Sequence, residues 1–185
     1  MQFESLAGET SAEEDGDPPD RLSLQASEAC RVDISFDTLW EEEKENFCSF
    51  LKALVVRMQE ELVFPREAIL EYVFSHDTHV RSLNAQYRGK DTPTNVLSFP
   101  LASQEENSPP LLGTVVFAYE TIHREAKEQQ KPFSHHSKHL IVHGTLHLLG
   151  LTHKTSEEAE VMEGYERRIL NTFRIPDPYE AFEGK

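Results

Sequence analysis

His143-Gly144-Thr145-Leu146-His147-Leu148-Leu149-Gly150-Leu151-Thr152-His153 is the stretch that organises the rest of the chain. Residues four apart lie on one face of a helix, one turn from each other, so His143 and His147 can point at a common ion. Gly150 tolerates the left-handed conformation that ends a helix, and the turn it allows brings His153 back to the same point. Three neutral imidazoles leave the fourth tetrahedral position of a zinc-type ion open to water, the pattern of a catalytic rather than a structural site. An ion so held lowers the pKa of its water to about 7 and polarises a carbonyl or phosphoryl oxygen. The spacing therefore predicts one Zn2+ bound by His143, His147 and His153, and a hydrolase. His139 falls on the same face one turn earlier, but three histidines already complete the usual catalytic ligand count. His76, His79, His123, His135 and His136 read as surface or capping residues.

Outward from this segment, apolar spacing predicts the helix Ser134–Leu149, preceded by a helix from about Glu120 to Gln130 that Pro132 ends. Thr155 or Ser156 caps a last helix running to about Phe173. Upstream, Phe47, Phe50, Leu51, Leu54, Val55 and Met58 recur at helical spacing within Leu39–Leu62, and Pro65 closes that helix. Asp77 can cap a short helix carrying Val80, Leu83 and Tyr87. Strand patterns occur at Val32–Phe36, Ala68–Phe74, Val96–Phe99 and Leu112–Ala118, with a polar hairpin-like connection over Ser103–Pro110. Strands and helices mix without strict alternation, which predicts an α+β domain over residues 31–180 with one small mixed four-stranded sheet packed with helices. Residues 1–30 carry eight acids, one base (Arg21) and the pair Pro18-Pro19. Such a segment buries too little apolar surface to offset its ordering entropy, so it reads as a disordered acidic tail.

The formal net charge of −15 argues against bulk nucleic-acid affinity, which depends on Lys and Arg displacing counterions from phosphate. Any nucleic-acid contact is then local, and Arg81, Arg88 and Lys90 form one short basic cluster. The clusters Arg124, Lys127, Lys131 and Arg167, Arg168, Arg174 read as solvated helix faces. Two cysteines, Cys30 and Cys48, do not make a disulfide framework. No signal-peptide pattern and no membrane-length apolar run is visible, so the expectation is a cytoplasmic protein without a membrane partner.

The His-Gly-His register also meets the metzincin peptidase pattern H-E-x-x-H-x-x-G-x-x-H, except that Gly144 stands where the general-base Glu belongs. A peptidase reading is disfavoured on that ground. Two further motifs, Leu83-Asn84-Ala85-Gln86-Tyr87-Arg88-Gly89-Lys90-Asp91-Thr92-Pro93-Thr94-Asn95-Val96-Leu97-Ser98-Phe99-Pro100 and Leu112-Gly113-Thr114-Val115-Val116, join the histidine segment in order. Together they resemble the YbeY family of metal-dependent single-strand endoribonucleases, also called rRNA maturation factors, over about residues 83–178. The resemblance implies a zincin-like fold with the metal site on a helix–Gly–loop. It also implies hydrolysis of single-stranded RNA rather than DNA, in rRNA processing (16S rRNA 3′-end maturation) and ribosome quality control. The partners it implies are rRNA precursors, the small ribosomal subunit and assembly factors. It assigns the metal to His143, His147 and His153 and catalysis to Arg88 and His143. A guanidinium near a metal suits this chemistry, since it grips phosphate oxygens and stabilises charge on phosphorus.

The chain departs from the family pattern at Asn95, Thr114 and Thr152, where family members usually carry Asp, and this leaves the general acid and base open. Glu120 and Asp91 remain as candidates beside a plain surface role. Met162 reads either as a residue beneath the metal or as a core methionine. Two other functions stay in view: a ribosome-assembly binding factor with a mainly structural metal, and, further back, a metallopeptidase.

Overall fold

A computed structural model of the chain describes residues 20–28, 30–62, 64–65, 67–101 and 111–180. The expected connection over Ser103–Pro110 and the acidic segment before Asp20 lie outside the described residues. The strands are β1 (Asp20–Gln25), β2 (Cys30–Phe36), β3 (Ala68–Ser75), β4 (Val96–Pro100) and β5 (Leu111–Ala118). The helices are α1 (Lys44–Glu61), α2 (Asp77–Arg88), α3 (Tyr119–Glu128), α4 (Phe133–Leu148) and α5 (Ser156–Thr172), with a 3-10 turn at Thr38–Glu43 ahead of α1.

The sheet has five strands in the order β1-β2-β3-β5-β4, not four. The additional strand is Asp20–Gln25, inside the stretch read as tail, which pairs antiparallel with β2 from Asp20 opposite Phe36 to Gln25 opposite Arg31. Its apolar residues, Leu22 and Leu24, alternate with exposed Arg21, Ser23 and Gln25 and pack against the core. Two such residues are enough for an edge strand whose other face meets water. β2, β3 and β5 run parallel, and β4 closes the opposite edge antiparallel to β5.

One face of the sheet is covered by α1 and α4, with α5 packed on both, through a core containing Phe47, Leu51, Leu54, Leu140, Ile141, Leu146, Met162, Ile169 and Leu170. On the other face α2 sets Val80 and Leu83 against Leu97, Val116 and Ala118. Asp77 does not cap its own helix. His76 accepts the His79 N–H at 3.2 Å, while the Asp77 carboxylate takes the backbone N–H and hydroxyl of Thr121, both at 2.9 Å, in the first turn of α3. Glu120 returns the favour by accepting the Asp77 N–H at 2.8 Å, so two helix starts satisfy each other's free donors.

The helix that carries the histidines is fixed to the sheet at two points. The Thr145 hydroxyl donates to the Ile141 carbonyl at 2.7 Å and accepts from the buried Tyr72 hydroxyl of β3 at 2.8 Å. One residue earlier, Ser98 of β4 donates to the Gly144 carbonyl at 3.1 Å. A Cβ on Gly144 would stand 2.5 Å from Val115 Cγ1, so α4 lies on the sheet at a distance only glycine permits. No side chain of any kind, glutamate included, has room there without the sheet giving way. Among the described residues, no helix is long and apolar enough to cross a membrane.

Candidate metal centre

α4 ends at Leu148, and Gly150 takes a left-handed φ of 88°, which turns the chain so that His153 faces the helix it has just left. His143, His147 and His153 each offer a ring nitrogen, and these atoms lie within 4.8 Å of one another. His143 and His147 are half-buried and His153 is exposed, so the cluster opens to solvent on the His153 side.

Hydrogen bonds settle which nitrogens carry protons. His143 Nδ1 is 2.8 Å from Glu166 Oε1, and His147 Nδ1 is 2.9 Å from the Leu151 carbonyl. A carboxylate and a carbonyl only accept, so each Nδ1 is the donor and each neutral ring has a bare Nε2. Those two Nε2 atoms face each other at 3.1 Å. Two lone pairs cannot satisfy one another; a proton on one ring or a metal ion between them does. Two nitrogens on a tetrahedral zinc, each about 2.0–2.1 Å from the ion, are separated by about 3.4 Å. The donor set thus fits a small divalent ion, with the His153 ring centroid 5.3 Å and 5.0 Å from those of His143 and His147. Burial and the neighbouring His143 push the His147 pKa below its ordinary value, against the opposing pull of the Leu151 carbonyl, and this favours the neutral ring a metal requires.

Glu166, which sequence reasoning did not single out, is fully buried in α5. Its Oε1 takes the His143 bond, and its Oε2 accepts from His139 Nε2 at 2.8 Å and from the Tyr179 hydroxyl. Burial pushes this carboxyl up, but the bonds from His139, His143 and Tyr179 more than offset it and leave the pKa at about 2. The available signal was its place in the apolar stripe of α5, between Met162 and Ile169, where a carboxylate is out of character. Glu158, two turns earlier on the same helix, forms a capping box with Thr155. It also accepts from the Thr152 hydroxyl at 2.6 Å and the Lys154 N–H at 2.8 Å, so it grips both neighbours of His153.

Asn95, Thr114 and Thr152 share one local arrangement. Asn95 Nδ2 donates to both oxygens of Glu125, at 2.9 and 3.2 Å, and the Thr114 hydroxyl donates to Glu71 at 2.7 Å. With Thr152 and Glu158, each position holds a donor against a resident glutamate. An aspartate there would meet a like charge. His136 is not a surface residue either: it is buried, with Nε2 2.9 Å from the same Glu125.

Arg88 ends α2 and is exposed, and among the described residues it shares no hydrogen bond or ion pair with the histidines. Its neighbour Tyr87 packs edge-on to Phe99 of β4 at 5.1 Å, which ties this end of α2 to the strand beside α4. Arg81 is paired with Asp91 at 2.7 and 2.8 Å on the surface. Met162 is buried in the core.

The sequence matches the family model described as Endoribonuclease YbeY over residues 35–174. The Endoribonuclease YbeY of Rhodopseudomonas palustris strain CGA009 is 54% identical over 115 residues, which is 60% of this chain and 60% of that protein. That of strain HaA2 is 43% identical over 166 residues, 85% of each. A solution structure of a Thermotoga maritima protein is matched over 84% of this chain and 99% of that one, with 21% identity and a TM-score of 0.45.

Proposed function

This chain belongs to the YbeY family of endoribonucleases, and from that premise we propose that it hydrolyses phosphodiester bonds of single-stranded RNA at one Zn2+ held by His143, His147 and His153. The observation that carries the reading is that His143 and His147, each with Nδ1 engaged elsewhere, turn their Nε2 atoms to within 3.1 Å of each other beside His153. The ion, when bound, supplies a Lewis acid for a phosphate oxygen and lowers the pKa of water toward neutrality. The chain's own residues do the rest. His143 and His147 hold their Nε2 atoms inward because Glu166 and Leu151 occupy their other nitrogens. Glu158 holds the loop that presents His153. Arg88, exposed at the end of α2, grips the non-bridging oxygens of the scissile phosphate and stabilises charge on phosphorus. The substrates in the cell are rRNA precursors at the small ribosomal subunit, the steps 16S rRNA 3′-end maturation and ribosome quality control with assembly factors, and the compartment the cytoplasm. The YbeY name of the relatives and the local basic group at Arg88 and Lys90, set in an acidic chain, support this assignment.

The test is zinc analysis of purified protein together with cleavage of single-stranded and double-stranded RNA, with and without a chelator. We expect one zinc per chain and cleavage of the single strand that chelation abolishes and zinc restores. Bound zinc without chelator-sensitive cleavage would make the protein an assembly factor with a structural metal instead.

A further inference from the structure

α4 carries a row of histidines at four-residue spacing, His135, His139, His143 and His147, and helix geometry alone makes His139 as good a partner for His143 as His147 is. Indeed His139, His143 and Glu166 also bring ligand atoms within 4.8 Å of one another. Something must decide which two neighbours of the row serve one ion. We propose that Glu166 is a positioning residue that selects the ligand set: it fixes His143 with Nε2 free for the ion and withdraws His139 by capturing its Nε2.

The geometry runs through one carboxylate. Glu166 Oε1 holds the His143 Nδ1–H at 2.8 Å, and Glu166 Oε2 holds the His139 Nε2–H at 2.8 Å. Because the carboxylate donates nothing, the proton of His143 must sit on Nδ1 and that of His139 on Nε2. The two rings therefore have opposite tautomers on the same helix face. For His139 the bonded nitrogen is Nε2, the same atom through which His143 and His147 face each other. Distances of 2.8 Å are those of charge-assisted hydrogen bonds, and are shorter than the roughly 3.4 Å between two ligands of one zinc. Tyr179, from the segment after α5, occupies a further lone pair of Oε2. A purely structural role does not call for this residue, since Met162, Ile169 and Leu170 fill the same face with apolar side chains and a buried carboxylate is costly. The same carboxylate–imidazole arrangement raises the basicity of a ligating histidine.

The inference rests on the three-histidine reading, and the test separates the two. In metal-free protein, nitrogen-15 shifts report tautomers without any ion: His143 should be the Nδ1–H form and His139 the Nε2–H form. This measurement on the unaltered protein stands whether or not any variant folds, and the Nε2–H tautomer at His143, with Nδ1 bare, overturns the proposal. In Glu166→Gln, one face of the amide donates, so one of the two rings must reverse its tautomer. The zinc dissociation constant, read by competition with a chelating indicator, should rise by about 10- to 100-fold. His139→Gln and Tyr179→Phe should each change it by less than about threefold, since neither touches the His143 bond. A folded Glu166→Gln protein with unaltered tautomers and unaltered zinc affinity would refute the assignment. If the unaltered protein binds no zinc, the metal reading falls, and the selection of tautomers by Glu166 is then decided by the nitrogen-15 shifts alone.

Discussion

Asn95→Asp replaces one NH2 group by one oxygen and thereby tests whether Glu125 requires a donor, rather than a second carboxylate, opposite it. Asn95 Nδ2 sits 2.9 Å and 3.2 Å from the two Glu125 oxygens, and Asn95 Oδ1 accepts the Val96 N–H at 2.7 Å. An aspartate in this pose keeps the Val96 bond and sets a second carboxylate oxygen about 3 Å from Glu125, where two unit charges repel by roughly 5 kcal/mol at an effective dielectric of about 20. Side-chain rotation and uptake of a proton relieve part of this, so we expect a net loss of about 2 kcal/mol at pH 7. For a domain of this size that lowers the Tm by about 4–8 °C. The pH dependence has a definite sign. In the unaltered protein burial pushes Glu125 up, but His136 and Asn95 pull it below its ordinary 4.5, so its contribution is present above that value and lost as pH falls. In Asn95→Asp the pair's pKa is raised instead, so the penalty is present at neutral pH and disappears as acid protonates one member. The two stability curves should converge in acid. Thermal denaturation of Asn95→Asp, Glu125→Gln and the double variant completes the cycle, because in the double variant an aspartate faces a glutamine and a donor–acceptor pair is restored with the roles exchanged. If Asn95→Asp cost as much in the presence of Glu125→Gln as in its absence, the account would be refuted.

Gly144→Ala should lower stability by about 1–3 kcal/mol through the contact with Val115, with zinc per folded chain unchanged; a wild-type Tm would show that the sheet yields freely. Thr152→Val removes the hydroxyl that Glu158 holds, and should weaken zinc binding about fivefold, the worth of one hydrogen bond, with little change in Tm; unchanged affinity would mean His153 is placed by Gly150 alone. Arg88→Ala should keep its zinc and lose about a hundredfold or more in turnover on single-stranded RNA, and Arg88→Lys should recover only part of it because an ammonium lacks the planar two-pronged grip. An unchanged kcat at saturating RNA would remove Arg88 from the reaction.

The cluster of His143, His147 and His153 was legible in the sequence because its geometry is local. A helix period joins His143 to His147, and one glycine turns the chain to His153, so no long-range contact is needed to foresee the cluster. The same holds for the helix boundaries at Pro65, Gly150 and Thr155, each set by backbone chemistry within a few residues. β1 failed to register for the opposite reason. Its two leucines are too few to outweigh an acidic context, and the strand is held by pairing with β2 rather than by its own pattern.

The supporting shell was hidden because it is assembled across elements. Glu166 lies 23 residues from His143 and joins it only when α5 packs on α4. Glu125 meets Asn95 and His136 only through the packing of α3 against the start of β4 and of α4. From sequence, the three absent aspartates look like a deficit in the active site; in the fold each is a donor opposite a glutamate already present. A position's charge is therefore readable only with its partner. For α5 the partner question has a compact form: Glu158, Met162 and Glu166 recur every four residues, so one face of one helix holds the loop of His153, fills the core and fixes the tautomer of His143. A charged residue inside an apolar stripe is the one local mark of such an arrangement, and it identifies the carboxylate without naming which histidine it serves.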